Sequence, residues 1–83
     1  MKRIGVIGIV LKTKEHVGEV NALLSQFSDI IVGRMGVPDK ETGINSISII
    51  VKGTNEEVSS LTGKLGTLNN VYVKSALTSM EVE

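Results

Sequence analysis

Apolar positions along this chain switch between a period of two and a period near 3.6, and the switches delimit six elements. From Arg3 to Lys12 runs a block of Ile, Val and Gly bounded by charge. Ile4, Val6 and Val10 fall on one alternating face, and Ile7, Ile9 and Leu11 on the other. A strand apolar on both faces is a central strand covered on both sides of its sheet. Gly5 and Gly8 within it indicate close approach by a neighbour. The period then lengthens. Val17, Val20, Leu24 and Phe27, widened by Leu23, form a helical stripe over Lys14 to Gln26. Thr13 stands where a helix cap belongs, and Glu15 and Glu19 lie where the helix dipole favours anions.

Asp29 to Pro38 reads as a second strand and Ile44 to Lys52 as a third, joined by the polar turn Asp39 to Gly43. In the third strand Ile47, Ile49 and Val51 share one face and Ser46, Ser48, Ile50 and Lys52 the other, so the pair is a hairpin. Thr54-Asn55-Glu56-Glu57 is a capping box that opens a second helix with the stripe Val58, Leu61, Leu65 and Leu68. Asn69-Asn70 ends it. Val71 to Leu77 is the last strand, with Val71, Val73 and Leu77 inward and Tyr72 and Lys74 outward. Thr78 to Glu83 reads as a frayed tail.

The order β-α-β-β-α-β is the ferredoxin-like, split βαβ arrangement of the α+β class. It predicts one domain over residues 1–83, with both helices on one face of a four-stranded antiparallel sheet. Right-handed crossovers put the first and third strands in the centre. The opposite face is expected to carry Ile4 or Ile7, Val32, Arg34, Ser46, Ser48, Ile50, Tyr72 and Lys74. That mixture fits a partly buried interface between copies of the chain, in a homodimer or homotetramer; the alternative is a solvated face with scattered aliphatics. At 83 residues the chain buries only about 60% of its unfolded surface, so association would add to a thin core.

Charge and composition remove several functions. Nine basic and nine acidic residues give a net charge of zero, against direct nucleic-acid binding and against electrostatic attachment to membranes. The absence of cysteine excludes disulfides, thiolate metal sites and cysteine catalysis, and it fits a cytoplasmic protein. The run Ile4 to Leu11 is too short to span a bilayer, and no small-residue cleavage site follows it. Phe27 and Tyr72 are the only aromatic residues, so stacking platforms for single-stranded nucleic acid are missing.

Three places carry candidate chemistry. Thr13, Lys14 and Gly18 surround the start of the first helix, where backbone donors and the positive dipole end suit an anion; an ordinary capped helix is the plainer reading. His16 is the single histidine, too few for a metal site unless two copies share one, and otherwise an exposed first-turn residue. Arg34, expected on the outward sheet face, suits a carboxylate or phosphate, or a salt bridge to Asp39 or Glu41 of another copy. The ligand-binding candidates are therefore Thr13, Lys14, His16, Gly18 and Arg34, with no metal and no cofactor expected. Gly63-Lys64-Leu65-Gly66 lacks the spacing of a phosphate loop and reads as close helix packing. One histidine and no cysteine assemble no nucleophile–base–orienter set, so no catalytic residue is assigned and an enzyme is not expected.

The segment Glu15 to Val20, then Leu23-Leu24 and Ile30-Ile31, resembles the opening of ACT domains, with Val17 where that family carries proline. Such domains usually bind amino acids or other small effectors between subunits near the first strand–helix loop. Arg34-Met35-Gly36-Val37-Pro38, the strand Ile47 to Val51, Leu61 to Gly66 and Val71-Tyr72-Val73-Lys74 resemble a short ACT-like family named for regulation of the iron-only hydrogenase system. Its fold is similar to the C-terminal domain of the nickel regulator. The resemblance implies a small homo-oligomeric regulatory module that senses a small effector or contacts a hydrogenase-assembly protein. The alternative is a ligand-free assembly protein acting through its sheet face.

Overall fold

The computed structural model describes residues 1–82. Its elements run β1 (Lys2–Leu11), α1 (Val17–Gln26), a 3₁₀ turn (Ser28–Ile30), β2 (Ile31–Pro38), β3 (Asn45–Gly53), α2 (Asn55–Gly66) and β4 (Val71–Val82). The sheet order is β2-β3-β1-β4, antiparallel throughout, so β1 and β3 are central as the crossover rule requires. Ile7, Ile9 and Leu11 of β1 and Ile49 and Val51 of β3 form the core with Val20 and Leu24 of α1 and Val58, Leu61 and Leu65 of α2. Each such aliphatic burial contributes roughly 1.5–3 kcal/mol before conformational entropy is charged. Ile7 belongs to this helix-covered face, and Ile4, Val6 and Val10 to the open one.

Local chemistry sets the ends. Thr54 caps α2 with the predicted reciprocal pair: Glu57 N donates to Thr54 Oγ1 at 3.1 Å, and Thr54 N donates to Glu57 Oε1 at 2.8 Å. Asn70, at φ 63, makes the left-handed turn into β4. In the hairpin turn the Asp39 carboxylate accepts from Glu41 N at 3.1 Å and from the Thr42 hydroxyl at 2.8 Å, while Gly43 takes φ 76.

Four expectations are corrected. First, α1 starts at Val17 rather than Lys14, and its N-cap is His16, with no side-chain cap bond. Thr13 Oγ1 instead accepts from Glu15 N at 3.3 Å, which closes a local hydroxyl turn before the helix begins. Second, β2 carries a bulge. Ile31 pairs with Val51 and Gly33 with Ile50, leaving Val32 as an extra residue. The parity of the strand changes there. Arg34 then pairs with Ile49 and lies on the helix side, while Met35 and Val37 take the open face. Third, the tail is not frayed through Val82: β4 continues, pairing Glu81 with Arg3 and Val82 with Lys2. An irregularity opposite Ile4 absorbs the surplus residues, and the Thr78 hydroxyl holds it by donating to the Ile4 carbonyl. Glu83 lies outside the described residues. Fourth, Gly63 and Gly66 face open space, with nothing within 4 Å of where a Cβ would stand, so they do not mark close helix packing.

Candidate functional site

The bulge in β2 has a chemical consequence. By moving Arg34 to the helix side it brings the guanidinium against α1, where Nη2 donates to Asn21 Oδ1 at 3.2 Å. Asn21 projects beside the apolar stripe of α1, one residue after the buried Val20. Beneath the pair is a cavity of about 280 Å³, bounded by Arg34 and Gly36 of β2, Val17, Val20 and Asn21 of α1, and Asn45 and Ile47 of β3. Gly36 adds no side chain and meets nothing within 4 Å, so the rim stays open. The arrangement offers a permanent cation with four N–H donors beyond the one given to Asn21, two side-chain amides, and aliphatic walls.

The other predicted residues lie on the strand–helix loop and the first turn of α1. Lys14 is exposed in the loop, and its carbonyl accepts from Val17 N at 3.4 Å. His16 sits between two carboxylates: Nδ1 is 3.0 Å from Glu19 Oε2 and Nε2 is 3.4 Å from Glu15 Oε1. The hydrogen bond from His16 is the main reason that the Glu19 carboxyl is held below its ordinary range. Gly18 faces open space on the helix. Arg34 is thus the one predicted ligand residue that lines the cavity. Asn21 and Asn45 were not singled out in the sequence. Asn21 had one visible signal: it is a polar residue at the margin of an apolar helical stripe. Asn45 opens β3 and carries no comparable mark.

Two wider depressions hold none of the five predicted residues. A groove of about 620 Å³ between the helices is floored by Leu23 and Leu68, and one of about 780 Å³ follows α2 and β4 past Tyr72 and Lys74. Among the described residues, no group of three or more acidic or histidine side chains is placed to hold a metal ion, and no helix is long and apolar enough to cross a membrane.

Comparison with known proteins adds a family and a fold. The model of the TM1266-like family, described as "Iron-only hydrogenase system regulator, putative", matches residues 3–75. The structure of protein TM1266 from Thermotoga maritima is 34% identical, covering 95% of this chain and 100% of that one with a TM-score of 0.89. The ACT domain of GTP pyrophosphokinase from Chlorobium tepidum is 19% identical over 92% of this chain and 100% of its own, with a TM-score of 0.74. The C-terminal domain of MgtC from Mycobacterium tuberculosis is 14% identical, covering 98% and 94%, with a TM-score of 0.71. The last two share the ferredoxin-like, ACT-like fold with this chain. Comparison with curated proteins finds no match.

Proposed function

The chain belongs to the TM1266-like family, and we propose that it is a homo-oligomeric regulatory module of the iron-only hydrogenase system that senses a small molecule and acts through protein contacts. The observation that carries the reading is the open face of the sheet. Ile4, Val6 and Val10 of central β1 stand there beside Ile50, Met35, Val37 and Tyr72, all exposed in the single chain. An antiparallel sheet that faces water on one side normally alternates to polar residues on that side. Here the central strand contributes only Lys2, at its very start, the remaining open-face position being Gly8. Exposed aliphatics grouped on one sheet face, here interrupted by Ser46 and Ser48 of β3, are characteristic of an association surface. Lys52 and Lys74 stand on the same face, opposite Ile4 and Gly8 of β1.

The family description supports a regulatory role, and the cavity at Arg34 and Asn21 supports ligand sensing. Both helices pack on the sheet, which leaves no helix-turn-helix among the described residues, so an effect on transcription would run through a partner. Sedimentation velocity at micromolar concentration tests the oligomer: a dimer or tetramer is expected, and a stable monomer overturns the reading. Native mass spectrometry of protein purified from its source reads the retained ligand in the same sample.

A further inference from the structure

We infer that the Arg34–Asn21 cavity binds a small carboxylate that has an aliphatic body and no ammonium group; this rests on the ligand-sensing reading above and narrows it. The charge balance of the lining carries the inference. Arg34 is its one charged side chain, and no Asp or Glu lines the cavity. Asp39, the next residue after the lining residue Pro38, keeps its carboxylate on Glu41 N and the Thr42 hydroxyl. Glu19, on the same helix as Asn21, is engaged by His16. An α-ammonium entering the cavity would meet a guanidinium and no acidic side chain, and would lose water without gaining an ion pair. A carboxylate meets the opposite situation, because a guanidinium fork matches its two oxygens.

The walls decide against a bare inorganic anion. Val17, Val20 and Ile47 are aliphatic, and phosphate would leave them in contact with water or with charge. A short branched chain covers them while its carboxylate reaches Arg34, and the Asn21 and Asn45 amides can take the remaining oxygen lone pairs. The volume, about 280 Å³, sits just under the range of drug-sized sites, which limits the body to a few carbons.

Isothermal titration of the full chain with 3-methylbutanoate, leucine and inorganic phosphate tests this. 3-Methylbutanoate is expected to bind, with leucine and phosphate each weaker by about tenfold or more. Arg34→Gln is expected to lose about tenfold or more of that affinity, and Arg34→Lys to keep part of it, circular dichroism confirming that both variants fold. Leucine or phosphate binding as tightly as 3-methylbutanoate overturns the inference, as does Arg34→Gln binding unchanged, or no heat from 3-methylbutanoate at about 10 mM. The oligomer is read separately by sedimentation of ligand-free protein. A monomer that binds 3-methylbutanoate selectively upholds the ligand class, and an oligomer that prefers leucine overturns the ligand class alone.

Discussion

Gly5 and Ala76 approach so closely across the β1–β4 pair that a Cβ built on Gly5 would stand 2.6 Å from the Ala76 carbonyl oxygen and 2.8 Å from the Leu77 Cα. The register between these strands slips between Arg3 and Gly5, and β4 folds in over the position that glycine leaves empty. The neighbours concerned are backbone atoms, which cannot swing aside as a flexible side chain would.

Gly5→Ala should therefore destabilise the protein by about 2 kcal/mol, in the range of an overpacked core position. Gly8→Ala is the control, because its nearest neighbour, the Lys74 carbonyl oxygen, is at an ordinary 3.9 Å. Urea denaturation should place Gly8→Ala close to the parent or above it and Gly5→Ala well below. Equal midpoints for the two variants would show that β4 relaxes around Gly5.

The cap of α2 gives a second test. Thr54→Ala removes the acceptor for Glu57 N and should cost about 1 kcal/mol, typical of a lost N-cap. The Glu57 carboxyl lies below its ordinary 4.5, chiefly because it accepts from the Thr54 backbone N–H. A folded pKa below the unfolded one means stability that is present above the unfolded value and lost as pH falls through the folded one. Denaturation midpoints should accordingly decline from about pH 5 downward, and less steeply in Glu57→Gln.

At the other helix, His16→Ala should raise the Glu19 pKa toward 4.5, because the His16 hydrogen bond is the largest cause of its lowering. Carbon-13 titration of the Glu19 carboxyl reads this directly. The same sign applies as for Glu57: this contribution exists above the unfolded carboxylate range and fades on acidification. An unmoved Glu19 in the variant would mean that the ring does not hold the carboxylate in solution.

The core was legible because it follows from period alone. The stripes Val58-Leu61-Leu65 and Val20-Leu24 and the alternation Ile47-Ile49-Val51 admit only one inward side each, and element order fixes the sheet. The Thr54–Glu57 box was equally plain, since it needs only residue types at fixed spacing. The side of Arg34 was not. A single bulged residue, Val32, reverses the parity of everything after it in β2, and nothing in Val32-Gly33 distinguishes a bulge from a regular glycine-containing strand. Arg34 was therefore expected on the wrong face, and its hydrogen-bond partner Asn21 was missed with it. The extension of β4 to Val82 was hidden for a similar reason, since it depends on a hydrogen bond from Thr78 to Ile4, far apart in sequence.

Val6→Lys tests the sheet face at its centre. Val6 pairs with Ile50 on one side and Ala76 on the other, so no position on the open face lies farther from both sheet edges. It is 45% exposed in the separate chain, where a lysine stem can lie along the sheet with its ammonium in water, and the fold should change in stability by less than about 1 kcal/mol. In an oligomer assembled through this face the same ammonium would be buried without a carboxylate, next to a surface that already carries Lys52 and Lys74. Burying an unpaired charge costs more than a small interface can return. Sedimentation velocity should show the parent as dimer or tetramer and Val6→Lys as monomer, with matching far-UV circular dichroism. If Val6→Lys sediments like the parent, the copies meet elsewhere, and the edge strand β2, with exposed Val32, Met35 and Val37, becomes the surface to mutate next.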